Sequence, residues 1–433
     1  MEELIRAAVF HTPGNPFRDS SAFQAFEDAA LVIRDGRIAD LGDFSEVRGR
    51  YAETPVRDLR GGFLLPGFVD THVHFPQVRI LGGLGYTLLD WLEIHTLPEE
   101  ARMSERSYAE AVAREFLNAL ASHGTTTALV FGSHFCPAME AFFAAAAHSG
   151  LRIASGLVLS DRMLLPSLHQ KPDAAYRESH DLIRQYHGHG RLLYAVTPRF
   201  ALSASEAMLE VCQTLLAETS GLRFQTHINE NPLEVMEVSR LFPWANDYLA
   251  VYERYSLVGP RSVLAHNVHA TGTELERLAS NGAAVSHCPC SNAALGSGIF
   301  PMDRHLAAGV HFGLGTDVGG GTGFGMIKEA LQAYLLQRVT ASGVVLTSPQ
   351  MLYLATRAGA EAIGVQDETG DLSRGRAADF VYLRPLEGST LAAVARHARS
   401  AEDLLAALFT LAGQEAVAEV RVGGDPVFMR GTA

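Results

Sequence analysis

Between residues 63 and 317, short apolar runs of strand length alternate with longer segments rich in Ala and Glu. Eight runs are readable: FLLPGFVDTHVH (63–74), TTTALVF (125–131), LRIASGLVLS (151–160), RLLYAVTP (191–198), LRFQTHI (222–228), SVLAHNV (262–268), AAVSHCP (283–289) and VHFGLGTD (310–317). Some of the intervening segments carry helix-start signals. Ser203 stands three residues before Glu206, and Thr273 three before Glu276, so each pair reads as a capping box. Alternating strand and helix eight times over about 250 residues predicts an α/β fold, a (β/α)8 TIM barrel, with a doubly wound sheet as the alternative.

The two ends follow a different pattern. RAAVFHT and DAALVIRDGRIADLG are short β-like pieces, the second with RDGR as its hairpin turn. GDLSRGRAADFVYLRP and VAEVRVGGDPVFMRG repeat that character near the other end, with the helical stretch EDLLAALFTLAG between them. The expected organisation is therefore a catalytic barrel over 63–368, inserted into a small β-sandwich domain made of 1–62 and 369–433, the latter with a helical insertion. No low-complexity tract and no linker rich in Pro, Gly or Ser interrupts it.

Composition narrows the function classes. The hydrophobic fraction is 47% and the charged fraction 19%, and no apolar stretch approaches the ~18 residues of a membrane helix, so no membrane span is expected. The opening MEELIRAAVF lacks the basic start and apolar core of a signal peptide, which points to the cytoplasm. Four cysteines at irregular spacing fit a reducing compartment rather than a disulfide scaffold. A net charge of −13 without a Lys/Arg run argues against nucleic acid and for a small-molecule substrate.

Candidate chemistry lies at the strand ends. Residues two apart on a strand face the same side, so Asp70, His72 and His74 share one face and Val69, Thr71 and Val73 the other. If the polar face turns inward near the carboxyl end of the barrel, the two imidazoles reach the place where this fold keeps its active sites. His227, His266 and Asp317 close three further runs. Imidazoles and a carboxylate suit Zn²⁺ with one position open for water; Fe²⁺ or Mn²⁺ would fit the same donors. His148, His187, His189, His397 and the strand-end His287 read as surface, helix or packing residues.

Taken together and in order, FVDTHVHFPQ, TPRFALSAS, THINEN, AHNVH, HCPCSNAALGSG and GLGTDVGGG resemble the guanine deaminase branch of the amidohydrolase superfamily, over nearly the whole chain. The resemblance implies a barrel of the metal-dependent hydrolase type that converts guanine to xanthine and ammonia in purine catabolism or salvage. It implies one Zn²⁺ per chain on His72, His74, His227 and Asp317, and a homodimer. Glu230, His266 and Asp317 would be catalytic: Asp317 takes the proton of the metal-activated water that attacks C2, Glu230 protonates a ring nitrogen and then the leaving amine, and His266 orients the hydroxide. Gln77, Arg199 and Phe200 would hold the purine, the first two by hydrogen bonds and Phe200 by stacking, with His227, Glu230, His266 and Asp317 also bordering it.

Three segments imitate other chemistry. HCPCSN lacks the second Cys of the P-C-x-x-C deaminase signature, so Cys288 and Cys290 read as packing or loop residues. GGGTGFG lacks the Gly-Lys-Ser/Thr ending of a phosphate loop and reads as a flexible active-site loop. Two other classes of function remain open: a hydrolase of another ring, such as an aminotriazine, and a non-catalytic member, whose mark would be lost ligands.

Overall fold

Asp35 and Gly36 both take positive φ, 50° and 76°, the backbone of the tight turn whose twist matches that of the strands it joins. In the computed structural model, which describes residues 2–431, this turn links β2 (Gln24–Arg34) to β3 (Arg37–Asp43). With β1 (Glu2–His11) and β4 (Val56–Pro66) these strands begin a sheet, to which β14 (Phe380–Leu383), β15 (Val417–Val422) and β16 (Asp425–Met429) add from the far end of the chain. The order is β16-β15-β14-β4-β1-β2-β3. All neighbours are antiparallel except β1 and β4, which run parallel.

The small unit is thus one hydrogen-bonded ladder of seven strands rather than two separate sheets, bent where the register shifts in β1, β2 and β14. Period-two alternation gives it two apolar faces. Leu64, Phe380 and Tyr382 join Ile5, Val9, Leu31 and Ile33 in a core of the sheet's own, whereas Phe63, Leu65, Val381 and Leu383 pack into the barrel's core.

The run 63–74 is two strands, not one, divided at Gly67. A Cβ at Gly67 would lie 2.1 Å from Thr126 Oγ1, so only glycine lets the chain pass from the sheet into the barrel there. The sheet therefore reaches Pro66 instead of ending at 62, because Phe63–Pro66 pair with β14. The barrel follows: β5 (Phe68–His74), β6 (Thr125–Phe131), β7 (Arg152–Gly156), the two-residue β8 (Val158–Leu159) beside it, β9 (Leu192–Pro198), β10 (Arg223–Ile228), β11 (Ser262–His266), β12 (Ala284–His287) and β13 (His311–Leu314). Their pairings are parallel throughout. Between β13 and β5 the seam is stitched by Thr71 Oγ1 donating to Leu314 O (2.8 Å) and by Asp317 N–H donating to His72 O (2.8 Å).

Both helices start two residues from the expected position, and only one of them with a capping box. The helix Gly272–Ser280 starts from Thr271, whose hydroxyl and Glu274 form the reciprocal pair; TGTELE contains two overlapping boxes, and use of the first lengthens the helix. Helix Glu206–Glu218 is capped by Ser205, which accepts from Met208 N–H, while Ser203 belongs to a 3-10 turn. EDLLAALFTLAG forms the helix Ala401–Leu411. No helix among the described residues is long and apolar enough to cross a membrane.

Candidate functional site

Alternation along β5 brings His72 and His74 to one face, with their Nε2 atoms 3.2 Å apart and each 3.2 Å from Asp317 Oδ1. His227 completes the group from the end of β10; one donor atom from each of the four residues lies within 4.8 Å of all the others. Asp70, expected on the same face, is not part of this donor group. Its carboxylate accepts from Thr316 N–H (3.0 Å) and Thr316 Oγ1–H (2.5 Å), clamping the residue before Asp317 to the ligand strand. At the strand ends Asn229, His266, Asn267 and Asp317 all take positive φ, between 47° and 72°, as the chain turns out of the barrel.

Hydrogen bonds behind the rings set their tautomers. His227 Nδ1–H donates to Arg199 O (2.6 Å), which turns the Nε2 lone pair inward. His266 Nδ1 meets Asn292 Oδ1 at 2.9 Å, and since an amide oxygen only accepts, the proton is on Nδ1. Its buried Nε2 then has no hydrogen-bond partner, 3.4 Å from Glu230 Oε2 and 3.9 Å from Asp317 Oδ2. Burial lowers His72 to about 3 and holds His74 and His227 below the usual imidazole range, so all three rings are neutral, the form that binds metal. Burial alone would raise Asp317, but bonding from His72 and His74 holds it well below the carboxylate range, and Ser291 Oγ–H secures Oδ2 at 2.5 Å. Three imidazoles and one carboxylate, with a donor atom from each within 4.8 Å of the others, fit a divalent ion.

Glu230 contrasts with Asp317. It is 2% exposed and accepts one bond, from Ser297 Oγ–H at 3.3 Å; burial and the neighbouring negative charge of Asp317 push its carboxyl well above 4.5. Burial thus favours its protonated form beside the four-donor group.

The cavity over these residues is also lined by Gln77, Arg199 and Phe200, so all nine side chains singled out in the sequence converge at or beside it. Gln77 stands on the 3-10 turn Phe75–Ile80 that follows β5; Arg199 and Phe200 directly follow β9. Phe200 is 3% exposed, its ring centroid 6.1 Å from that of His227. Leu88, Trp91 and Leu92 supply an apolar wall from the helix Leu88–Trp91 and the π-helical turn after it.

Several participants escaped sequence reasoning. Glu100 and His134 are buried behind Gln77 and Arg199: Glu100 accepts from Gln77 Nε2 (2.8 Å) and from Arg199 Nη1 (2.8 and 2.7 Å), and pairs with His134 Nε2 (3.1 Å). Burial would raise Glu100, but the guanidinium of Arg199 overrides it and holds the carboxylate far below its usual range. Asn292 and Ser291 lie in the HCPCSN segment, on the short helix Pro289–Ala294 that follows β12, where no spacing or strand-end position marks them as partners of His266 and Asp317. Cys288 lies near His72 and His266, but burial pushes its thiol well up, so it is a packed thiol rather than a thiolate ligand. The GGGTGFG segment is not a loose loop at its start: Gly319–Gly321 are buried, and a Cβ on Gly319 would come within 2.7 Å of Gln77 O.

The amidohydrolase family model matches residues 63–427. The chain is 56% identical to the probable guanine deaminase of Deinococcus radiodurans across 99% of each chain, and 36% identical to the guanine deaminase of Escherichia coli across 98% of this chain and 96% of that one. The structure of guanine deaminase from Bradyrhizobium japonicum superposes over the full length of both chains with a TM-score of 0.95 at 33% identity. Barrel, four-donor cluster and sequence agree: the chain belongs to the amidohydrolase family.

Proposed function

We infer that this chain hydrolyses guanine to xanthine and ammonia with the help of a divalent ion, zinc first among the candidates. The observation that carries the reading is the buried Glu230 carboxyl set between the four-donor cluster and a cavity walled by Gln77, Arg199 and Phe200. His72, His74, His227 and Asp317 would hold the ion, a donor set that Zn²⁺ favours and Fe²⁺ or Mn²⁺ also accepts. When bound, such an ion supplies Lewis-acid polarisation and makes a water acidic near neutral pH.

The chain's own groups do the rest. Glu230 donates its proton to the ring nitrogen beside C2; the proton that Asp317 takes up during attack then passes to the departing amine with the help of Glu230, and the proton released as the C2 hydroxyl becomes the carbonyl restores Glu230; help of this kind contributes roughly 10²–10⁴ in rate. The inward Nε2 of His266 accepts a hydrogen bond from the attacking oxygen and orients it. Asp317, kept anionic, accepts the proton released during attack. Arg199 and Gln77 donate to the purine's carbonyl edge, and Phe200 covers its ring. The acidic chain fits an uncharged substrate, and a homodimer in the cytoplasm belongs to the same reading.

The test is metal analysis combined with ammonia and product measurement on a panel of rings. About one ion per chain and fastest turnover of guanine, giving xanthine, are expected. Faster turnover of adenine, cytosine or an aminotriazine by metal-replete enzyme overturns the guanine assignment; full activity after exhaustive chelation overturns the metal assignment.

A further inference from the structure

Glu100 touches neither the four-donor cluster nor the reacting edge of the cavity, yet it is 2% exposed and bound to both residues read above as the purine's donors. Its bonds dictate what those residues can offer. A carboxylate only accepts, so the side of the Gln77 amide that faces Glu100 must be the nitrogen. On the other side Gly319 N–H donates to Gln77 Oε1 at 3.1 Å, so a flipped amide would set oxygen against carboxylate and nitrogen against N–H. Gln77 is therefore locked with an N–H still free for the cavity. Arg199 gives Nη1 to both oxygens of Glu100, which leaves Nη2 and Nε without a bond to any other acceptor among the described residues.

Glu100 is held in turn. Burial keeps His134 neutral, with one ring proton, and that proton goes to the carboxylate at Nε2; Nδ1 then accepts from Ser160 Oγ–H at 3.0 Å. Three donors converge on one carboxylate, and both cavity-facing side chains emerge from it as donors only.

We propose that Glu100 is a positioning residue that fixes the donor polarity of the purine-reading wall and thereby selects a 6-oxo over a 6-amino group. The proposal rests on the reading of Gln77 and Arg199 as substrate contacts. A 6-oxo oxygen accepts from a donor wall; a 6-amino group presents N–H to N–H and leaves buried polar groups unpaired, which costs a site of this kind much of its affinity. 2,6-Diaminopurine carries the same amine at C2 and an amine in place of the oxygen at C6. It is the probe.

In Glu100→Gln the amide now facing Gln77 and Arg199 can no longer accept from every partner, so the Gln77 amide is free to turn and Arg199 loses its anchor. The ratio of kcat/KM for guanine over 2,6-diaminopurine is expected to fall at least 10-fold, chiefly through a higher KM for guanine, with metal content unchanged. Where 2,6-diaminopurine turns over too slowly, its Ki against guanine replaces the rate. Glu100→Asp keeps the charge with a shorter reach and should recover part of the selectivity; if the Gln variant fails to fold, the Asp variant alone carries the test, with a severalfold fall expected. An unchanged ratio, whether or not activity drops, overturns the proposal. Arg199→Ala and Gln77→Ala separate the two readings: if they collapse the ratio and Glu100→Gln does not, the positioning role fails; if they also leave it unchanged, the assignment of the purine contacts fails.

Discussion

Asp40 and Glu419 in the small sheet and Glu230 and Asp317 at the barrel mouth are all buried carboxylates, none more than 5% exposed. Their surroundings differ in kind. Asp40 receives Arg50 (2.7 Å) and Arg374 Nε (2.9 Å), and Glu419 receives Arg57 (2.6 Å) and Arg421 (2.5 Å). Burial pushes both acids up, and the arginine bonds more than offset it, so each is held below its usual range. Two of these pairs, Asp40–Arg374 and Arg57–Glu419, also tie the opposite ends of the chain together. At the mouth no arginine among the described residues bonds Glu230 or Asp317: Asp317 is held by Ser291 and by neighbouring imidazoles, and Glu230, the unsaturated one, has a single long bond to Ser297. A saturated charge can hold a fold but has no capacity left for a reaction; an unsaturated one strains the fold and is available for chemistry.

The comparison breaks if Glu230 proves structural. Glu230→Gln keeps the shape and removes the titrating proton, so activity on guanine should fall by about 10²–10⁴ while metal content and Tm hold or Tm rises. Loss of the metal in this variant would make Glu230 a ligand instead.

The converse substitution lies in the sheet. Asp40→Ala leaves Arg50 and Arg374 unpaired, but their side chains are 50% and 63% exposed and can turn to water, so the cost lies below that of a fully buried pair, about 1–2 kcal/mol of stability. Chemical denaturation measures it, with kcat on guanine unchanged; a drop in kcat would mean that the sheet is coupled to the mouth.

Glu329 sharpens the contrast from outside both groups. It is buried, accepts from Cys290 N–H at 3.1 Å, and has Oε1 unpartnered; burial raises it to about 8. The folded state holds this proton where the unfolded chain, near 4.5, has lost it, so stability should decline as pH rises from about 5 to 8. In Glu329→Gln that part of the slope should vanish. Melting curves at several pH values test it: the Tm difference, wild type minus variant, should shrink or change sign with rising pH, and a constant difference would place the proton elsewhere.

The barrel and the His72–His74 pair were legible in the sequence for one reason: strands buried on both faces are nearly unbroken apolar runs, and a polar pair two apart within such a run has to face the interior; the full four-donor set came from the family resemblance. Three kinds of information were not. Glu100 in LPEEARM reads like any carboxylate in a first helical turn, and tertiary burial alone turns it into the anchor of Arg199. Leu88, Trp91 and Leu92 have the spacing of an ordinary core helix, so their place on the cavity wall depends on where that helix docks. The division at Gly67 is hidden inside a continuous apolar run because both products are strands; the clash with Thr126 that demands glycine comes from a neighbour dozens of residues away.

The position of β4 between β1 and β14 also sets a timetable. Its partner on one side, Glu2–His11, precedes it in the chain, whereas Phe380–Leu383 emerge only after about 300 further residues; at a synthesis rate of roughly 5–20 residues per second that is about 15–60 s. Through that interval the nascent chain carries an open strand edge containing Phe63, Leu64 and Leu65, of the kind that pairs with other chains. The sheet that flanks the barrel is therefore the part of this molecule most exposed to mispairing while it is being made, and Phe380–Leu383 are the residues that close the hazard.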